Sequence, residues 1–302
     1  MRINSKLIKA AAGLAALVCS TAAHAELNVF ACEPEYASLV KSLAPDADVY
    51  SATTAMQDPH QVQARPSLIA KMRQADLVVC AGADLEIGWL PMLQMKASNS
   101  KVRSTDEGLF YAAEHTDTLD QLDNVDRSMG DVHAKGNPHL HFDPTKLLEV
   151  AKALSAKLIQ LDPQNKPQYE VAFNEFSEQW QAKIPQWQAL AKPLQGKKVI
   201  GYHSSFRYLF NWTGIEQVAD LEPKPGLAPT SSHLATLLAR AEKGDVMAIV
   251  VASYHDDRGA QWLGERANLP VLMLPMSVGG NEQSTDLISL YDNVLVLLNG
   301  VQ

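Results

Sequence analysis

Short apolar runs recur along this chain, separated by stretches in which apolar residues return every three or four positions. The runs at residues 27–31, 76–80, 198–202, 245–252 and 270–274 have strand length. Residues 66–74, 235–242 and 259–267 read as helices, the first opened by Pro66, whose missing N–H is harmless in a first turn. Strand and helix in alternation predict parallel sheets covered by helices. One such series lies early in the chain and another late. Between them, residues 144–161 and 164–191 carry apolar side chains at helical spacing, as in Tyr169, Phe173, Phe176, Trp180 and Ile184. The expected architecture is therefore α/β, with two lobes at residues 26–163 and 194–302, each a mainly parallel sheet flanked by helices. One long helix over residues 164–193 joins them, its aromatic stripe serving as packing surface.

Residues 1–25 fall outside that rhythm. Arg2, Lys6 and Lys9 precede a mostly apolar stretch over residues 10–23 that closes on Ala23-His24-Ala25, the pattern of an export signal cleaved after Ala25. The stretch is shorter than the roughly 20 residues that cross a bilayer. A lipid anchor on Cys19 is disfavoured by the bulky Val18 before it. Removing three basic and no acidic residues takes the formal net charge from -8 to -11, which argues against a nucleic-acid partner. About 277 residues remain, enough for two ordinary domains. No later run is long and apolar enough to span a membrane, so the mature protein is expected to be soluble, monomeric and periplasmic.

Export also changes the reading of the cysteines. Cys32 and Cys80 each end a short apolar run, and if those runs are neighbouring parallel strands the sulfurs come within bridging reach. A thiolate metal site is the weaker alternative, because the two are far apart in sequence. Within residues 113–136, Asp117, Asp120, Asp123, Asp126 and Asp131 accompany Gly130 and Gly136 with little periodic apolar content, as in a mobile acidic loop.

The candidate chemistry lies in the histidines. Neutral imidazole suits zinc, and a site needs about four ligands gathered from separate places. His139 and His141 lie between Pro138 and Pro144, which restrict the backbone; in an extended segment both could face one metal, or one could ligate while the other hydrogen-bonds beside it. His60 follows Pro59 just before a helix start. His203 follows the run 198–202, at the carboxyl edge where open α/β sheets place ligands. His255 follows another strand and is a reserve ligand, although Asp256 and Asp257 more simply begin a helix. His115 and His133 in the acidic loop are candidates only for transient contact, and His233 is expected at the surface.

Taken in order, Asp58-Pro59-His60 with Arg65-Pro66-Ser67, Asn137-Pro138-His139 with Asp143-Pro144, and His203 with Phe206, Tyr208 and Gly214-Ile215 resemble the substrate-binding proteins of zinc and manganese ABC transporters, the ZnuA-like family. The likeness covers almost the whole mature chain. It implies two α/β lobes on one long helix, a metal in the interlobe cleft, and delivery to a membrane permease. It also implies His60 and His139 as ligands from the first lobe, His203 from the second, and a carboxylate near the C-terminus, for which Asp286 is the best match. Asp286 before an apolar helical run also reads as a helix cap. His141, His255 or water are the other ways to complete the site. This chain departs from the pattern at His141, where many members carry an aromatic residue, and in an acidic loop poor in histidine.

Three imidazoles and one carboxylate favour Zn(II) over manganese, which prefers more oxygen. A metal-dependent hydrolase using His139 and His141 is the competing class, but neither His-Glu-x-x-His nor Gly-x-Ser-x-Gly occurs. A metallochaperone or adhesin on the same scaffold is a third.

Overall fold

The computed structural model describes residues 26–301, so the export signal expected over residues 1–25 lies outside the described residues. In the first lobe, β1 (Asn28–Ala31), β2 (Asp48–Ser51), β3 (Leu77–Cys80) and β4 (Leu109–Tyr111) form a parallel sheet in the order β2-β1-β3-β4. Helices α1 (Pro34–Leu43), α2 (Pro66–Gln74) and α3 (Leu90–Ala97) connect them, each with a proline in its first turn. Successive strand side chains point to opposite faces. Val29, Ala31, Leu77 and Val79 thus enter one core, while Phe30, Cys32, Val78 and Cys80 enter another. That alternation puts Cys32 and Cys80 on one face of adjacent strands, where they form a disulfide with Cα atoms 4.9 Å apart. The bridge excludes the thiolate alternative.

The second lobe repeats the plan. Strands β5 (Lys198–Gly201), β6 (Glu216–Asp220), β7 (Val246–Ala252) and β8 (Val271–Leu274) run parallel in the order β6-β5-β7-β8. Helices α6 (Arg207–Thr213), α7 (Ser231–Ala241), α8 (Arg258–Ala267) and α9 (Leu287–Asn299) complete it. In both lobes the chain leaves its first strand toward one neighbour and returns on the other side, so β1 and β5 are the switch-point strands whose carboxyl ends open a crevice.

Helix α4 (Pro144–Leu161) leads to the long helix α5 (Lys166–Ala191). The helix expected over 164–193 is α-helical only in that span, with 3-10 turns Pro163–Asn165 and Lys192–Leu194 at its ends. Its stripe packs as expected. Tyr169, Phe176, Trp180 and Trp187 are buried, and Phe173 and Ile184 are half-buried against them. Trp180 Nε1 donates to Pro144 O at 2.8 Å and Trp187 Nε1 to Asp292 Oδ1 at 2.8 Å, pinning α5 to α4 and to α9. One apolar cluster includes the inner faces of both sheets, α4, α5 and α9, so a single core runs through both lobes. Among the described residues no helix is long and apolar enough to cross a membrane.

Trp180 is fully buried within that shared core, so Trp180→Ala should destabilise the whole protein by about 3–5 kcal/mol. A matching fall in the urea midpoint with one transition for both lobes is expected; two separated transitions would show that the lobes do not share it.

Candidate metal centre

His60 sits in the loop between β2 and α2, and the residues around it fix that loop. The Asp58 carboxylate accepts the His60 backbone N–H at 2.9 Å, and Trp89 Nε1 donates to Pro59 O at 3.0 Å. His139 lies ahead of a 3-10 turn, Leu140–Phe142, with its backbone N–H bonded to Asn137 Oδ1 at 2.9 Å. His203 follows β5 at its switch-point end. These three elements converge. Ligating atoms of His60, His139 and His203 all lie within 4.8 Å of one another, and no carboxylate belongs to that group among the described residues.

The ring orientations are set by carboxylates standing behind them. His60 Nδ1 is 2.8 Å from Asp58 Oδ1, and His203 Nδ1 is 2.8 Å from Glu222 Oε2. An ionised carboxylate only accepts, so each neutral ring gives its Nδ1–H outward and keeps an Nε2 lone pair. The Nε2 atoms of His139 and His203 are buried without a hydrogen-bond partner. Burial opposes the charge on Asp58, but the bond and charge of His60 outweigh it and hold the carboxyl below its ordinary range. Burial, then the neighbouring His60 and His203, hold the His139 pKa well below that of a free imidazole. The same causes bring His133 down to about 4. Convergent neutral nitrogens with no protein donor to satisfy them are a ligand set for a cation.

The remaining candidates stand elsewhere. His141 is not on the same face as His139, because the segment turns at Leu140–Phe142 instead of extending. Both of its ring nitrogens are occupied, Nε2 at 2.9 Å from Met276 O and Nδ1 at 3.3 Å from Glu35 Oε1. Asp286 is exposed and does not reach the cluster. Its carboxylate caps α9, accepting the Ser289 N–H at 2.7 Å while the Ser289 hydroxyl accepts the Asp286 N–H, so the cap reading is the one the structure shows. His255 stacks on Tyr202 and its ring centre is 6.3 Å from that of His203, outside the group of three. His115 is exposed and stacks on Phe110, and His233 Nε2 is 2.8 Å from Asp220 O. His133, in contrast, comes to the centre, its Nε2 3.3 Å from His60 Nε2.

Residues 29–299 match the family model described as zinc-uptake complex component A, periplasmic, known as ZnuA. The chain belongs to the ZnuA family. It is thus a substrate-binding protein of a metal ABC transporter and not an enzyme, which removes the hydrolase reading. Relatives include the manganese ABC transporter substrate-binding lipoprotein PsaA of Streptococcus anginosus, 25% identical over 82% of this chain and 78% of PsaA. The metal-binding lipoprotein SloC of Streptococcus mutans is 25% identical over 86% of this chain and 83% of its own length. A crystal structure of ZnuA superposes with a TM-score of 0.77 at 19% identity, covering 92% of this chain and all of that one. A cadmium-bound periplasmic metal-binding protein from Candidatus Liberibacter asiaticus gives 0.73 at 17% identity over 92% and 100%. These superpositions establish the ZnuA-like two-lobe fold.

Asp58 and Glu222 are absent from the reading of the sequence. Asp58 carries a signal there, two residues before His60, the spacing at which an Asp turns back onto the backbone. Glu222 carries none, since its contact with His203 is made across two neighbouring strand ends.

Burial lowers the pKa of His133 to about 4 and of His255 to about 3, so both rings stay neutral as pH falls through the ordinary 6.5. In metal-free protein at about pH 5.5, imidazole 15N shifts should report neutral His133, His139 and His255. Shifts of charged rings at that pH would contradict the geometry.

Proposed function

We infer that this protein is a periplasmic Zn(II)-binding protein that holds its cargo on His60, His139 and His203 and delivers it to the permease of an ABC importer. The observation that carries this reading is the triangle of imidazoles with two buried, unpartnered Nε2 atoms. Zinc is favoured because every donor in the group is nitrogen. Manganese sites trade imidazole for oxygen, and here the nearby carboxylates Asp58 and Glu222 are engaged as acceptors behind the rings. That distinguishes this site chemically from what the name of the manganese relative PsaA would suggest for it.

Asp58 and Glu222 raise the donor strength of their histidines, and protons compete with the metal for the same lone pairs. Export supports the periplasmic assignment: the basic start, apolar stretch and Ala23-His24-Ala25 form a cleavable signal, and the disulfide needs an oxidising compartment. The protein acts as a monomer, its cargo site being complete within one chain.

Calorimetric titration of the exported chain tests the assignment. Zinc should bind one-to-one and far more tightly than manganese, and His60→Ala, His139→Ala and His203→Ala should each cost more than about tenfold. Glu222→Gln should cost about 10–100-fold, the usual effect of removing a partner behind a ligand. Unchanged affinity in the three histidine variants would refute the ligand set, and tighter binding of manganese would refute the choice of zinc.

A further inference from the structure

The segment 117–137 reads as a free acidic loop, but it crosses from the first lobe to the second through a series of polar tethers. The Leu119 N–H donates to the Tyr208 hydroxyl at 3.0 Å, and Arg207 Nε to Asp120 Oδ2 at 2.8 Å. Lys224 Nζ donates to Ser128 O at 2.8 Å, and the Asp131 N–H to Pro225 O at 3.0 Å. The approach at the last of these is close. Gly130 has φ +88°, and a Cβ there would stand 2.3 Å from Pro225 O. The docking point connects to the cluster, because Glu222, which accepts from His203, also accepts the Gly226 N–H at 3.1 Å.

His133 rides on this strap. Its ring stacks against that of His60 with centres 5.3 Å apart, and the two Nε2 atoms are separated by 3.3 Å. His60 has its Nδ1–H turned to Asp58, so its Nε2 is a bare acceptor. Two nitrogens bound at about 2.0–2.1 Å to one tetrahedral zinc lie roughly 3.3–3.4 Å apart. The spacing is therefore that of two ligands on a shared ion. His133 approaches from the His60 corner and is not within the tight group formed with His139 and His203, so the strap must settle inward for one ion to reach all four rings.

We propose that His133 is the fourth cargo ligand, donated by the interlobe strap, so that the bound ion draws the strap down and closes the site with a fourth imidazole. This rests on His60, His139 and His203 holding the metal. It assigns the fourth position to a nitrogen in place of the exposed, capping Asp286, and makes the strap a determinant of metal choice, since a fourth imidazole disfavours manganese further. The continuous interlobe core resists wide opening of the lobes, whereas the strap is held by surface polar contacts that open at little cost.

X-ray absorption at the zinc edge of the loaded wild-type protein, with chelator-competition titrations of His133→Ala and of His115→Ala as a control, tests this. Expected are four imidazole nitrogens in the wild type, and three nitrogens with one oxygen in His133→Ala. Zinc affinity in that variant should fall by at least about tenfold, since even a partner behind a ligand is worth about 10–100-fold. His115→Ala should match the wild type. His133→Ala carries a change on an exposed strap, so the metal-free variant should melt with the wild type. Three nitrogens and one oxygen in the wild type, or undiminished affinity in His133→Ala while His139→Ala loses binding, would overturn the role of His133 and leave the three-histidine site standing. Undiminished affinity in His139→Ala as well would overturn both.

Discussion

Leaving a buried nitrogen acceptor unpaired costs about 1–3 kcal/mol, and this fold does so at both His139 and His203 while aiming His60 at the same point. Three neutral rings facing one another gain nothing from each other, since each presents a lone pair. A cation is what turns that arrangement from a cost into an attraction. The rest of the structure can be read as what is needed to keep those lone pairs convergent, neutral and away from protein donors.

Two parallel sheets contribute through their switch-point strands. β5 delivers His203 at its carboxyl end, and β6 ends nearby with Glu222, which fixes the ring's tautomer. From the first lobe, the Asp58 turn and the 3-10 turn after His139 supply the other two rings. That turn is clamped from the second lobe, with Tyr291 OH donating to His141 O at 2.7 Å and Trp212 Nε1 to Phe142 O at 2.7 Å. The Ser277 hydroxyl also bonds to Glu35 across the interface. With one apolar core through both lobes, the distance between the lobes' ligands is set by packing, and α5 with its buried tryptophans is the spine of that packing.

Much of this was legible in the sequence. Apolar runs and helical spacing gave both sheets and α5, and period-two alternation placed Cys32 and Cys80 on one face. His60 and His139 stood out by the prolines before them, and His203 by its place after a strand. What escaped reading depends on the third dimension. The pairing of His139 with His141 assumed an extended backbone, and a single 3-10 turn sends His141 to Met276 O and Glu35 instead. Asp286 fits both a ligand and a cap in one dimension, and the Ser289 side chain, by completing a capping box, decides for the cap. Glu222 and His133 reach the site only through contacts with segments far from them in sequence, for which no local pattern exists.

The choice of metal follows from the same constraint. A site whose convergent atoms are imidazole nitrogens, with its carboxylates held behind the rings, suits an ion that accepts nitrogen and a tetrahedral shell. The most direct measurement is a crystal structure of the zinc-loaded protein with anomalous scattering collected at the zinc edge. The account predicts a single strong peak about 2.0–2.1 Å from one ring nitrogen of each of His60, His139 and His203. A peak elsewhere, or one bound by Asp286 without these three rings, would contradict it.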